Sequence, residues 1–226
     1  MLPQTLKDLE NSLNRVYLRI FKAINREDDY PDNIGAIQRK YNKIVYDNTR
    51  SAIQQAVILA NEKVNRLFKT QPYLTQTDLD LIKKNTKDQV DSFWRKIMLD
   101  IFRKQEQRAL TGGAAIEVDE EGNPIPPPDL DMTAYLLAVA ISSLFGSYAD
   151  STLSKTDELG DVLVDQKPQV KWIATIDERT CEELPDGSPG CGTRDNQIYF
   201  TDDPELQIHM PGSVHPYCRC YLEPII

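Results

Sequence analysis

Cysteine is absent from the first 180 residues and then appears four times between positions 181 and 220. A disulfide framework spread along the chain is thereby excluded, and whatever sulfur chemistry exists is confined to the last fifth. Glycine is sparse, at 10 of 226 residues, and no collagen-like or low-complexity composition survives that value. There is no glycine-rich phosphate loop. Gly112-Gly113 follows a helical pattern rather than a strand, and neither Lys-Ser nor Lys-Thr comes after it. Long hydrophobic runs are missing as well. The most apolar stretch, 132–146 (MTAYLLAVAISSLFG), falls short of the roughly 20 residues needed to cross a bilayer. It is expected to be a buried helix, with no membrane involved. Met1-Leu2-Pro3-Gln4 runs directly into a polar amphipathic segment without the apolar centre of a signal peptide, so synthesis in a cytoplasm without export is expected.

Positive charge is scarce in the second half. Residues 111–226 hold 6 Lys and Arg against 21 Asp and Glu, whereas residues 1–110 hold 20 against 14. An acidic half repels a phosphate backbone; a basic half tolerates packaged DNA or an acidic protein partner. The plainer reading of the same charges is the solvated faces of helices.

Helices are what the first half encodes. Leu6, Leu9, Leu13, Val16, Ile20 and Ile24 recur at three- and four-residue spacing and predict a helix ending near Asn25. A break at 27–32 follows. Ile37, Tyr41, Ile44, Ala52, Ala56, Leu59, Val64 and Leu67 then predict a second helix, whose period slips at Asn48 and which Pro72 stops. Thr75-Gln76-Thr77-Asp78 has the form of a capping box. Leu79, Ile82, Val90, Phe93, Ile97 and Ile101 carry the third helix to about Leu110, with Phe93 and Trp94 expected in the core and Gly112-Gly113 closing it. Residues 114–130 are acidic, contain four prolines and read as an extended arm. The apolar helix from Asp131 to about Lys155 must bury more than one face, as the keystone of the body.

Beyond residue 160 the texture changes. Residues 162–164 and 170–176 are β-branched and short, which predicts strands, and Trp172 is expected to pack them on the helices. Turn residues crowd the remainder, and no internal repeat is present. The expected fold is therefore α+β, with a helical body at 1–113, the arm at 114–130, a buried helix at 131–160 and a β- and turn-rich Cys/His module at 161–226. About 50 turn-rich residues with so few large apolar side chains bury little surface unaided. Such a segment leans on the body, binds a metal, or does both.

The candidate ligands are Cys181, Cys191, His215, Cys218 and Cys220, with His209 standing apart. Clustered thiols in a chain made without export favour metal over disulfide, and zinc takes four such ligands in a tetrahedron. The spacing is not that of a common zinc finger, because Cys181 and Cys191 are ten residues apart. For Cys218 and Cys220 to share one metal, a bend of the backbone near Pro216 is expected. A disulfide between Cys181 and Cys191, or free thiols, remain the alternatives. A Cys–His nucleophile pair oriented by Asp177 or Glu178 is a further possibility, but no oxyanion-hole motif accompanies it. Asp177-Glu178-Arg179 reads as a turn after a strand. Pro126-Pro127-Pro128 reads as part of a stiff arm rather than a polyproline ligand.

The residues around the cysteines say more. Trp172-Ile173-Ala174-Thr175-Ile176-Asp177-Glu178-Arg179-Thr180-Cys181, followed by Met210-Pro211-Gly212-Ser213-Val214-His215-Pro216-Tyr217-Cys218-Arg219-Cys220, resembles the signature of the phage Mu F-like head morphogenesis family. The likeness covers about 50 residues, and the rest agrees in general character alone. Leu184 stands where members often carry a second cysteine, and Cys191 in the inserted Pro185-to-Gly190 loop is its expected substitute. Residues 149–157 also lack the Arg-Thr-Glu string often found before this module.

The resemblance implies a minor head protein without enzymatic activity. It would enter the procapsid in the host cytoplasm, by binding the portal or major capsid protein, and influence DNA packaging or ejection from within the virion head. Several copies would be ordered by the partner's symmetry. Zinc is the implied metal, with Cys181, Cys191, His215 and Cys218 as the preferred ligands and Cys220 the rival for the last place. Two readings from other classes stand beside it. One is a zinc-stabilised nucleic-acid-binding packaging or regulatory factor, which the acidity of the second half disfavours. The other is a toxin or effector enzyme using the Cys/His module, since Mu F-like domains also occur fused to toxins.

Overall fold

The structure is a computed structural model that describes residues 4–26, 33–111, 132–163, 167–175, 180–212, 214–215 and 217–225, with backbone alone at 104–111 and 161–163. The arm expected at 114–130, the Gly112-Gly113 stop, and Asp177, Glu178 and Arg179 lie outside the described residues.

Helix α1 (Gln4–Ile24) buries Leu6, Leu13, Ile20 and Ile24 of the predicted stripe, adds Tyr17 and Glu10, and leaves Leu9 and Val16 half-buried. Helix α2 (Ile34–Leu67) starts at Asn33, whose side chain accepts from the Ala36 amide at 3.3 Å. Its buried line passes through Val45, Thr49, Ile53, Val57 and Ala60. Ile44 and Leu67, expected inside, are 46% and 39% exposed. The sequence slip at Asn48 has a simple cause: Thr49, a polar residue, belongs to the core line. It donates to the Val45 carbonyl at 2.7 Å and meets the Tyr17 hydroxyl at 2.8 Å.

Helix α3 (Gln76–Thr111) opens on the expected capping box, with aspartate in the glutamate position. The Asp78 amide donates to Thr75 Oγ1 at 3.2 Å, and Asp78 Oδ2 accepts from the Thr75 amide at 2.8 Å. Ile82, Val90, Phe93, Trp94, Ile97 and Ile101 are buried, whereas Leu79 is exposed.

The apolar helix runs further than expected. Helix α4 (Met132–Ile141), a π-helical turn (Ser142–Gly146) and helix α5 (Ser147–Leu163) follow one another without a break. Residues 162 and 163 therefore end a helix instead of starting a strand; β-branched composition there is overruled by continuation of the preceding helix. Met132–Gly160 is long and apolar enough to cross a membrane by composition. In this fold its Leu136, Val139, Ile141, Leu144 and Phe145 are buried among Tyr17, Ile24, Phe93 and Ile97 of the body.

A three-stranded antiparallel sheet completes the α+β fold, with β1 (Gln169–Ile173) between β2 (Ile198–Phe200) and β3 (Tyr221–Ile225). Lys171 lies opposite Ile198 on one side and Glu223 on the other. Alternation turns Val170 and Trp172 inward. Two short helices, α6 (Cys191–Arg194) and α7 (Pro204–Ile208), lie between β1 and β3 in the chain.

The module has an apolar core of its own: Val170, Trp172, Cys191, Tyr199, Leu206, Cys218, Cys220 and Leu222, closed by Ala149 of α5. The expectation that packing alone could do little here needs that amendment, because three of the cysteines serve as core residues. Trp172 is fully buried within this cluster beside α5, so its expected role in docking the module is borne out.

Several contacts among the described residues fix module to body, four of which bear on the site. Arg219 grips Glu10 of α1 through two hydrogen bonds of 2.9 and 2.7 Å. Lys63 of α2 pairs with Glu223 at 2.6 Å. Tyr148 and Tyr221 meet edge to face at 6.2 Å. Gly212, at φ +83°, presses on the π turn so closely that a Cβ there would strike the Gly146 backbone.

Candidate metal centre

Ten residues separate Cys181 from Cys191, and a small hairpin removes that distance. Glu183 and Pro189 pair as an isolated antiparallel bridge. The Gly190 amide donates to the Glu182 carbonyl at 2.8 Å, and the Gly192 amide to the Cys181 carbonyl at 2.9 Å. At the tip, Asp186 Oδ1 accepts from the Ser188 amide and hydroxyl, the local turn that short acidic residues favour. Two glycines make room here, Gly190 against backbone and Gly192 against a side chain that could swing aside. A Cβ on Gly190 would strike the Cys181 carbonyl, and one on Gly192 would strike the Glu182 carboxylate. Leu184 is buried in this hairpin as an apolar residue. The hairpin thus delivers Cys191, the first residue of α6, next to Cys181, whose Sγ accepts from the Cys191 amide at 3.5 Å.

The second set of ligands comes from the run into β3. Tyr217, at φ +73°, turns the chain, and burial then alternates: Cys218 in, Arg219 part way out, Cys220 in. Residues two apart on an extended chain share a face, so Cys218 and Cys220 converge with no special bend between them. Arg219, on the opposite face, is thereby free to reach Glu10. Thr175 Oγ1 ties this run to the end of β1 by donating to the Arg219 carbonyl at 2.9 Å.

Cys191 is the hub. Its sulfur lies 3.0 Å from His215 Nε2 and 3.6 Å from the Cys218 sulfur. The ligand atoms of Cys181, Cys191 and His215 all lie within 4.8 Å of one another, as do those of Cys191, Cys218 and Cys220. All five expected residues are therefore brought together, in two triads that share Cys191. His209 stays apart, closing α7. A tetrahedral zinc with sulfur ligands at about 2.3 Å sets neighbouring sulfurs about 3.8 Å apart, which the 3.6 Å edge nearly matches. Among the described residues no disulfide joins any of the four cysteines.

Electrostatics supports the same use. The contact with Cys218 raises the Cys191 thiol, and Cys220 and burial act in the same direction. The same contact holds Cys218 well below the ordinary thiol range, helped by Cys220 and the Gly212 amide at 3.3 Å. Cys220 is raised: its bond to Cys191 pulls it down, but Cys218 and desolvation outweigh that pull. Packed thiols cannot all ionise together unless a cation joins them. With four cysteines and an imidazole gathered in two groups around Cys191, the site could hold a metal ion.

Sequence reasoning found the clustered residues and missed their supports. Glu10, Gly190, Gly192 and Gly212 hold the cluster in place. The glycines beside Cys191 were the readable signal, and Glu10 gave none, since 209 residues separate it from Arg219. Comparison of the chain with protein-family models, with curated proteins and with solved structures finds no match to any of them.

Proposed function

We propose that the chain is a minor head protein of a tailed bacteriophage, of the Mu F-like kind. It binds the portal or major capsid protein during assembly in the host cytoplasm and influences DNA packaging or ejection from the virion head. One observation carries the reading. The two strings that resemble the family's signature, 172–181 and 210–220, fold onto each other, and the cysteines and histidine inside them meet at Cys191. Residues spread over 40 positions are thus used for one centre, whose neighbours dock the module on a helical body.

The metal we assign to that centre is zinc, on the softness of three thiolates and an imidazole. Cys181, Cys191, His215 and Cys218 are the preferred ligands, and Cys220 competes for the fourth place. Zinc here would cross-link the hairpin, α6 and the approach to β3; no reaction step is assigned to it. A binding role is favoured over catalysis by burial, because Cys218 and Cys220 are 1% and 2% exposed and a nucleophile must reach its substrate. Exposed Ile44 on α2, and Ile198, Phe200 and Ile208 on the module, offer apolar contacts to a partner subunit.

Neighbouring genes provide the test. Portal and large-terminase genes directly upstream are the expected finding, and neighbours without any head component would sink the proposal. For the metal, elemental analysis of the purified chain is expected to give roughly one zinc, lost in Cys191→Ser. A wild-type chain purified without metal and unable to take zinc up would overturn that part.

A further inference from the structure

The C-terminal half of α1 carries Arg15, Arg19 and Lys22 as one stripe along the helix, at spacings of four and three, and Arg26 follows in the turn just beyond its end. All four are exposed. With Leu18 and Ala23 they line a concavity of about 440 Å³, and among the described residues no acidic side chain lines it. The acidic residues of α1 are Asp8 and Glu10, both nearer its start. Glu10 is already engaged by Arg219, and Asp8 accepts from Gln4 at 3.0 Å. Among the described residues none of the four cations pairs with a carboxylate; Arg15 donates to the Asn11 carbonyl at 3.1 Å.

We infer that this stripe binds the phosphate backbone of a nucleic acid. From Arg15 to Lys22 the helix rises about 10 Å, close to three base-pair steps at about 3.4 Å each, and Arg26 extends the run just past the helix end. Three of the four are arginines, whose planar forks suit phosphate oxygens. No base-reading element is implied, so binding is independent of sequence. The chain as a whole is at net -9 and repels a polyanion, so affinity depends on this local stripe and falls steeply with salt. The inference rests on charge and geometry alone and does not need the head-protein reading. It would survive an unrelated gene neighbourhood, and its failure would leave portal binding untouched.

The experiment is a titration of a labelled mixed-sequence DNA duplex with the full chain, repeated across salt concentrations. Four phosphate contacts give a slope of about -3.6 in log affinity against log salt, a loss of roughly a hundredfold between 50 and 200 mM. Arg15→Gln with Arg19→Gln is expected to flatten the slope by about 2 and weaken binding about tenfold or more at low salt. Lys22→Gln with Arg26→Gln, at the helix end, must do the same, and serves if the first pair disturbs the helix by circular dichroism. Lys83→Gln with Lys87→Gln, exposed cations on α3, should change neither quantity. The inference is overturned by wild-type binding without salt dependence, by slopes that both stripe variants leave unaltered, or by an equal loss in the α3 control. Tighter binding of poly-glutamate than of the duplex also overturns it, assigning the stripe to an acidic protein.

Discussion

The helical body and the C-terminal module solve the same problem, excluding water, with different materials. The body uses aliphatic and aromatic side chains from α1 to α5. Its buried Thr49, Thr86, Ser143 and Thr156 return their hydroxyls to carbonyls one turn back, at 2.6 to 2.7 Å. The module has three short strands, and three of the nine buried residues in its core are cysteines. A thiol packs like a small apolar group but also titrates, oxidises and binds metal. The body's stability should therefore depend little on redox and metal chemistry, while the module's is tied to both. The two tryptophans report on the two regions separately: Trp94 sits in the body and Trp172 in the module.

The largest expected effect is loss of the proposed zinc. Binding free energies of about 10 kcal/mol are common in small zinc modules. Chelation, or Cys191→Ser, is expected to change Trp172 fluorescence and near-ultraviolet dichroism while helical content and Trp94 persist. If both tryptophans respond together, the division between regions is wrong. Next comes Phe93→Ala in the body, where Tyr17 packs at 5.0 Å and Trp94 at 5.3 Å. A cavity of that kind costs about 3–5 kcal/mol, on the order of 10 °C in Tm, and should leave zinc content unchanged. Glu10→Ala takes the carboxylate from Arg219 at the joint. Discounting the partial exposure of Arg219, about 2 kcal/mol is expected, seen as earlier unfolding of the module in proteolysis.

The smallest effect concerns pH. Burial raises the Asp150 carboxyl above its usual range, with Asn85 and Lys84 pulling it down less strongly. A raised acid favours the protonated form in the fold, so its contribution is present below the ordinary carboxylate value of about 4 and is lost as pH rises through the shifted value. Asp150→Asn should accordingly raise Tm slightly at neutral pH, and the gain should vanish in acid. A gain confined to acid would reverse the sign of the argument.

Legibility in the sequence followed the same division. The stripes of α1 and α3 and the Thr75–Asp78 cap could be read because each depends on neighbours within a turn. In α2 Ile37, Ala52, Ala56 and Val64 were placed correctly, but Val45 and Thr49 took the place expected of Ile44, since Thr49 is polar by type and buried by partner. The five ligands were visible as residue types, yet their grouping into two triads depends on a hairpin bridge at Glu183 and Pro189 and on a turn at Tyr217. The Arg219–Glu10 joint was invisible, because a glutamate on an amphipathic helix reads as a solvated charge. Strand β2 was missed for a similar reason: in three residues, with Ile198 and Phe200 outward, alternation has too little length to register.

The π turn between α4 and α5 has a wider consequence. One surplus residue in a helix advances the angular phase of everything after it by about 100°. Before the turn, Leu136, Val139 and Ala140 point into the body; beyond it, Ala149 and Leu153 point into the module. Beyond the turn Tyr148 and Ser151 still face the body while Ala149 and Leu153 face the module, so the second half of the rod is shared between the two. Deleting one residue from 142–146 would leave both halves intact in composition but rotate Ala149 and Leu153 away from the module.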